Sequence, residues 1–318
     1  MLPAWVLLAA ALMSGAFAAP DPPHLVYALP ATETVSISYI ALEKGFFKEE
    51  GLEVEGKMFS SGREGLQALL AGQAQIQSVS ETPIVHAIIQ GNKVMTVATV
   101  SRHKEAKLIA RRDHGISRPE DARGKKLATL PGTNSDYFMY EFFNKYKIAP
   151  GEVKIANMPP PEMVVAFAKG DIDGYFAWEP HIYYGQQQLG KEAIVFPPGD
   201  LYKGFNTVNM DPAFVKAHPE IVGKILKALL KGEDFLNQHP DEALAIVCNR
   251  LKVEPAVGKA LWKETIYRVE LDRDLPETME KIGRWAKTKD NVSGELPHFR
   301  DFLYPDALRS IDRSRVRL

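Results

Sequence analysis

Leu130-Pro131-Gly132-Thr133-Asn134-Ser135-Asp136-Tyr137-Phe138 is the stretch on which the fold turns. The apolar run of residues 126–130 reads as a strand, which Pro131-Gly132 breaks. Thr133, Asn134 and Ser135 then offer hydroxyl and amide N-cap groups ahead of a helical pattern over residues 136–147. A strand, a tight turn and a helix start in that order leave backbone N–H groups unpaired. They also aim the positive end of a helix dipole at whatever lies beyond. An anion or a hydrogen-bond acceptor suits such a place. Alone, the stretch reads first as an ordinary capped helix of an α/β domain.

The rest of the chain repeats the pattern. Upstream, residues 25–29 read as a strand, 30–34 as a polar loop and 36–44 as a helix stopped by Gly45. A strand at 52–58, a helix at 62–71 and a strand at 74–79 lead to a second junction, Ser80-Glu81-Thr82-Pro83. There Pro83 suits the first turn of a helix ending near 90. Strands at 94–100 and 107–110 follow, then a charged connector, 111–124. A second series runs from residue 126: helix 136–147, strand 153–157, helix 161–169, strand 175–178, helix 179–189 and strand 193–196. Residues 205–210 read as a strand returning to the first series. Helices at 211–217, 220–237, 241–251, 256–269 and 276–287 complete the chain, with the basic tail 313–317 read as frayed.

Such β-α alternation predicts mostly parallel open sheets flanked by helices. Two lobes are expected: residues 24–110 with 203–318 as a discontinuous first lobe, and 111–202 as an inserted second lobe. Loops at the carboxyl ends of both sheets would line a cleft between them, where a ligand is expected.

Composition narrows the function. The 318 residues carry 39 basic and 40 acidic side chains, a net charge of −1 that offers no footprint for nucleic acid. Residues 1–18 hold an apolar core ending in Ala16-Phe17-Ala18, which reads as a secretory signal and not as a span of the mature chain. The single cysteine, Cys248, reads as a buried small hydrophobe. The eight histidines are scattered without zinc-ligand spacing, and His86 in its apolar helix reads as a packed residue. Phosphate-loop, dinucleotide and Gly-x-Ser-x-Gly motifs are missing, so neither a cofactor, a metal nor covalent catalysis is expected.

A binding constellation remains. Residues 34–36, 80–82, 132–135 and 178–179 all sit at strand-to-helix junctions. Helix starts with Ser and Thr hydroxyls would hold an anionic group, and Trp178 would pack on the apolar part of a small ligand. Glu81 and Glu179 read in two ways: as carboxylates favoured at helix starts, or as partners for the positive end of a zwitterion or cation.

At these residues the chain resembles the periplasmic solute-binding proteins of nitrate, sulfonate and taurine ABC importers. The resemblance runs through residues 41–54, with Lys44-Gly45-Phe46-Phe47 at their centre, then 72–76, 80–83 and 131–135. It ends in residues 170–181, with Trp178-Glu179-Pro180. It implies a two-lobe, type II-like periplasmic binding fold that closes on its ligand by hinge motion, working with an ABC permease and its ATPase. Carried over by position, the ligand-binding residues are Thr34, Ser36, Ser80, Glu81, Thr82, Gly132, Thr133, Asn134, Trp178 and Glu179. Sulfonate binders commonly carry Gly-Asp and Trp-Asp where this chain has Ser80-Glu81 and Trp178-Glu179. The longer carboxylates favour an amino-bearing ligand such as an aminosulfonate over bare nitrate.

The expectation is therefore a monomeric periplasmic receptor for a small organic anion or zwitterion, an aliphatic sulfonate or taurine-like compound first. The alternatives are a thiamine-pyrimidine-type heteroaromatic or nitrate. An enzyme like the eukaryotic pyrimidine synthases, which resemble this fold, would need a Cys-rich segment and a cofactor lysine, and one Cys speaks against it.

Overall fold

The computed structural model describes residues 24–318, so the expected leader at 1–18 lies outside the described residues. Twelve strands are named in chain order: β1 (His24–Pro30), β2 (Glu53–Phe59), β3 (Ile76–Ser80), β4 (Met95–His103), β5 (Lys107–Arg111), β6 (Lys126–Thr129), β7 (Lys154–Asn157), β8 (Gly174–Ala177), β9 (Ala193–Phe196), β10 (Gly204–Met210), β11 (Thr265–Asp272) and β12 (Val316–Arg317). They form a seven-stranded sheet of order β12-β11-β4-β10-β3-β1-β2 and a five-stranded sheet of order β7-β6-β8-β5-β9. Helices pack on both, as two-sided burial of strands such as β3 requires.

Four expectations need correction. The sheets are mixed, not mostly parallel: β10 runs antiparallel to β3 and β4, and β5 runs antiparallel to β8 and β9. In each sheet the first strand after the chain changes sheet runs antiparallel to its neighbours, because it enters from the opposite side, and in the large sheet β11 runs antiparallel to β4 as well. For the same reason Lys107–Arg111 pairs in the small sheet, although residues 107–110 were assigned to the first lobe. The helix expected over 256–269 stops at Trp262, and Thr265–Asp272 forms β11 beside β4. Finally, the basic tail is anchored. β12 pairs with β11, and the Arg315 guanidinium donates to Glu233, itself buried in the long helix Pro219–Gln238.

Two short segments join the sheets, residues 104–106 between β4 and β5 and residues 197–203 between β9 and β10. A third link lies between lobes. Tyr137, on the helix Asn134–Lys145, packs 5.2 Å from Trp285 of the helix Asp274–Lys289, and Lys289 pairs with the buried Asp136. The core of the small lobe is aromatic: the Phe142 ring lies 4.7 Å from Tyr146, 5.5 Å from Phe176 and 6.0 Å from Phe138. Among the described residues no helix is long and apolar enough to cross a membrane.

Candidate ligand-binding site

The opening junction forms as its sequence requires. Gly132 takes φ +73°, a left-handed conformation that suits glycine, and its N–H donates to Asp136 at 2.7 Å. Thr133 is the N-cap of the helix Asn134–Lys145, but its hydroxyl donates backward to the Leu130 carbonyl at 2.7 Å and makes no cap bond. The same holds at the second junction, where Ser80 precedes the helix Glu81–Ile89 without capping it. Two helix starts, one beside each sheet, thus have cap residues that make no side-chain cap bond; at the first, Asn134 Oδ1 accepts from the Ser135 N–H at 3.0 Å, and the Asn134 N–H is left open.

Both cap residues line one cavity between the lobes, with Thr32, Arg63, Glu105, Asn134, Trp178 and Asn206 around it. The cleft leaves about 20 Å³ in which the centre of a water molecule can move, room for about one water. Gly62 makes this tightness possible: a Cβ there would sit 3.0 Å from that of Val79. The Arg63 guanidinium, at the exposed rim, reaches across to the Pro131 carbonyl at 2.7 Å.

The ten expected site residues divide. Ser80, Thr133, Asn134 and Trp178 line the cavity. Thr34, Ser36, Glu81, Thr82, Gly132 and Glu179 stand behind it and are engaged within the protein or packed into it. Thr34 accepts from the Asn206 amide at 2.9 Å, and the Ser36 hydroxyl donates to the Glu33 carbonyl. Thr82 is fully buried, its hydroxyl without a partner. The two glutamates hold their own chain. Glu81, 0% exposed, accepts from the Tyr202 hydroxyl and, at 2.8 Å, from the Phe205 N–H, both in or just after the second crossover. Glu179 pairs with Lys107 at 3.1 Å and accepts from the Tyr183 N–H at 3.0 Å. Burial pulls the Lys107 ammonium toward a lower pKa, but the charges and hydrogen bonds of Glu179 and Glu264 outweigh it and raise the pKa above its ordinary value.

Residues that sequence reasoning missed complete the cavity. Glu105 lies in the first crossover and Asn206 in β10, directly opposite Ser80 in the register of β3. Glu105 accepts from the Thr32 hydroxyl at 2.8 Å and from the Asn134 amide at 3.0 Å. The Thr32 hydroxyl also lies 3.0 Å from a Glu33 oxygen, and its one proton serves one of the two carboxyls at a time. An asparagine in a strand whose every residue is buried was the available signal for Asn206. Glu105 offered only a carboxylate in a short link between two strands.

Burial pushes the Glu105 carboxyl up to about 8, helped by Glu179 and Glu81 and opposed by hydrogen bonds from Thr32 and Asn134. Burial and then Glu105 likewise raise Glu33. His103, 3.7 Å from Glu105, is pushed down to about 4 by burial and stays neutral. An unfolded glutamate titrates near about 4.3. The folded state therefore holds a proton that the unfolded chain has lost, and this contribution, complete below the unfolded value, disappears as pH rises through about 8. The Tm of the ligand-free protein should fall between about pH 5.5 and about pH 8.5, and Glu105→Gln should flatten that fall. Thermal melts across this range check it; an unaltered slope in the variant assigns the effect elsewhere.

A cavity walled by both sheets and flanked by two crossovers defines the class of two-lobe binding folds. The chain belongs to the NMT1/THI5-like family, whose sequence profile matches residues 33–243. It is 28% identical over 203 residues to the taurine-binding periplasmic protein of Escherichia coli K12, an alignment covering 62% of this chain and 61% of that protein. The alkanesulfonate-binding protein SsuA from Xanthomonas axonopodis pv. citri, solved with MOPS, superposes with a TM-score of 0.79. The match has 16% identity and covers 90% of this chain and 100% of that one. The desulfurization enzyme DSZB also superposes, with TM-score 0.66, 13% identity and coverage of 92% and 99%. The fold alone therefore does not separate capture from catalysis.

Proposed function

We propose that this protein is the periplasmic substrate-binding component of an ABC importer and captures a small organic zwitterion or anion of the taurine or aliphatic sulfonate kind. One observation carries the reading: helix starts from both lobes, whose cap residues Ser80 and Thr133 make no side-chain cap bond, meet at a single inter-lobe cavity beside Trp178. Open first-turn N–H groups and the positive ends of two helix dipoles stabilise an anionic group, and the indole, 5% exposed, supplies an apolar wall. The relatives support the same role, being taurine- and alkanesulfonate-binding proteins. Residues 24–110 with 203–318 as one lobe and 111–202 as the other remain the proposed division, with β5 moved into the second.

Capture leaves the ligand chemically unchanged. The one cysteine of the chain, Cys248, is buried in the helix Pro240–Leu251, packed against Gly258 and away from the cavity. Bare nitrate fits the cavity poorly, because Glu105 lines it and Lys107 is committed to Glu179 and Glu264.

Calorimetric titration with taurine, ethanesulfonate, nitrate and an aminomethylpyrimidine tests the reading, and one-site binding of a sulfonate or aminosulfonate is expected. Trp178→Ala should weaken that binding by at least about 1 kcal/mol through lost burial. Unchanged affinity in the variant would take Trp178 out of the site.

A further inference from the structure

Four carboxylates, Glu33, Glu81, Glu105 and Glu179, are buried around one small cleft, where a receptor for a plain anion has no use for them. Three are accounted for. Glu81 is held by Tyr202 and Phe205, Glu179 by Lys107, and Glu33 lies behind Thr32. Glu105 alone of the four lines the cavity. Each of its two oxygens meets a single protein hydrogen-bonding group, Asn134 and Thr32, so the carboxyl keeps free capacity toward the cavity, and an ammonium docking there would favour its ionised form.

An independent observation lies beside it. Asn206 lines the same cavity and is 1% exposed. Its amide nitrogen donates to Thr34, and its oxygen Oδ1 has no hydrogen-bond partner. A buried acceptor left unpaired costs about 1–3 kcal/mol, so one placed at a binding cavity points to a donor brought by the ligand.

We infer that Glu105 and Asn206 Oδ1 form an ammonium subsite, so that the ligand is a short zwitterion whose amino group is read here while its anionic group meets the helix starts at Ser80 and Thr133. This rests on the solute-capture reading and deepens it. The subsite also explains why the cation is bound across the hinge: Glu105 belongs to the first crossover, Asn206 to the large sheet, and Asn134, which bonds Glu105, to the small lobe. An ammonium held there links both lobes in the closed state.

The test compares pairs of ligands that differ only in the amine: taurine against ethanesulfonate, and β-alanine against propionate, titrated calorimetrically. The wild-type protein should bind at least one amino member at least about tenfold more tightly than its amine-free counterpart, because omitting the amine leaves buried acceptors unpaired. Glu105→Gln keeps the shape and should collapse that preference, the amino ligand losing affinity and the amine-free ligand holding or gaining. Asn206→Leu should narrow the preference in the same direction. The wild-type ratio needs no variant, so a poorly folded substitution cannot hide the answer. Equal affinity within each pair overturns the subsite while leaving solute capture standing, as does a preference that survives both substitutions. No binding of any of the four compounds overturns both.

Discussion

Replacing Lys107 by methionine should destabilise the protein by about 3–5 kcal/mol, because it strands a buried carboxylate. The ammonium of Lys107 is 3.1 Å from Glu179 and 2.7 Å from Glu264, and both Lys107 and Glu179 are buried. Methionine fills the space of the lysine stem, so the loss is electrostatic and not a cavity. With its partner gone, Glu179 keeps only the Tyr183 N–H and must take up a proton to remain buried. Adding Glu179→Gln to Lys107→Met should therefore recover most of the loss, which is the signature of a coupled pair. Urea unfolding of the two single variants and the double variant measures this. Simple addition of the two single losses would show that the ion pair is incidental.

The second large effect lies in the small lobe. Phe142→Ala should cost about 3–5 kcal/mol by opening a cavity in an aromatic cluster. Phe142 is fully buried and lies between Phe138 and Tyr146 of its own helix and Phe176 of β8, with Phe196 of β9 at 6.3 Å. Relaxation cannot close the gap, because those rings belong to three different elements. Since the helix Asn134–Lys145 also carries Asn134, the variant should lose ligand affinity along with stability. Phe142→Leu, which keeps most of the volume, should retain binding. A thermal melt showing a loss under about 1 kcal/mol for the alanine variant would mean that the cluster is loosely packed.

How far the sequence reveals this molecule can be seen residue by residue. The Pro131-Gly132 break, the Pro83 helix start and the 3.6-residue periodicity are local signals, and the junctions they predict form where expected. What depends on sheet order was hidden. β10 lies between β3 and β4, so Asn206 meets Ser80 from more than a hundred residues away. Glu105 gains its role only because both of its neighbouring strands belong to different sheets. β11 was misread as helix because apolar residues at 257, 261 and 269 fit a helical spacing. Its own burial alternates with period two from Thr265 to Val269, as a strand does when one face is exposed. The tail was misread for want of local partners, since Glu233 and Glu270, which hold Arg315 and Arg317, lie far away in sequence. The outcome at Glu81 and Glu179 is the most instructive. Their chemistry was legible, but their occupants, the second crossover and Lys107, were not.

A crystal structure of the protein grown with taurine tests the site most directly. The expected result is density for the ligand in the inter-lobe cavity, with its sulfonate at the backbone N–H groups following Ser80 and Thr133 and its amine within hydrogen-bond distance of Glu105 and Asn206 Oδ1. Taurine bound elsewhere on the surface, or an inter-lobe cavity filled only by water at saturating taurine, would contradict it.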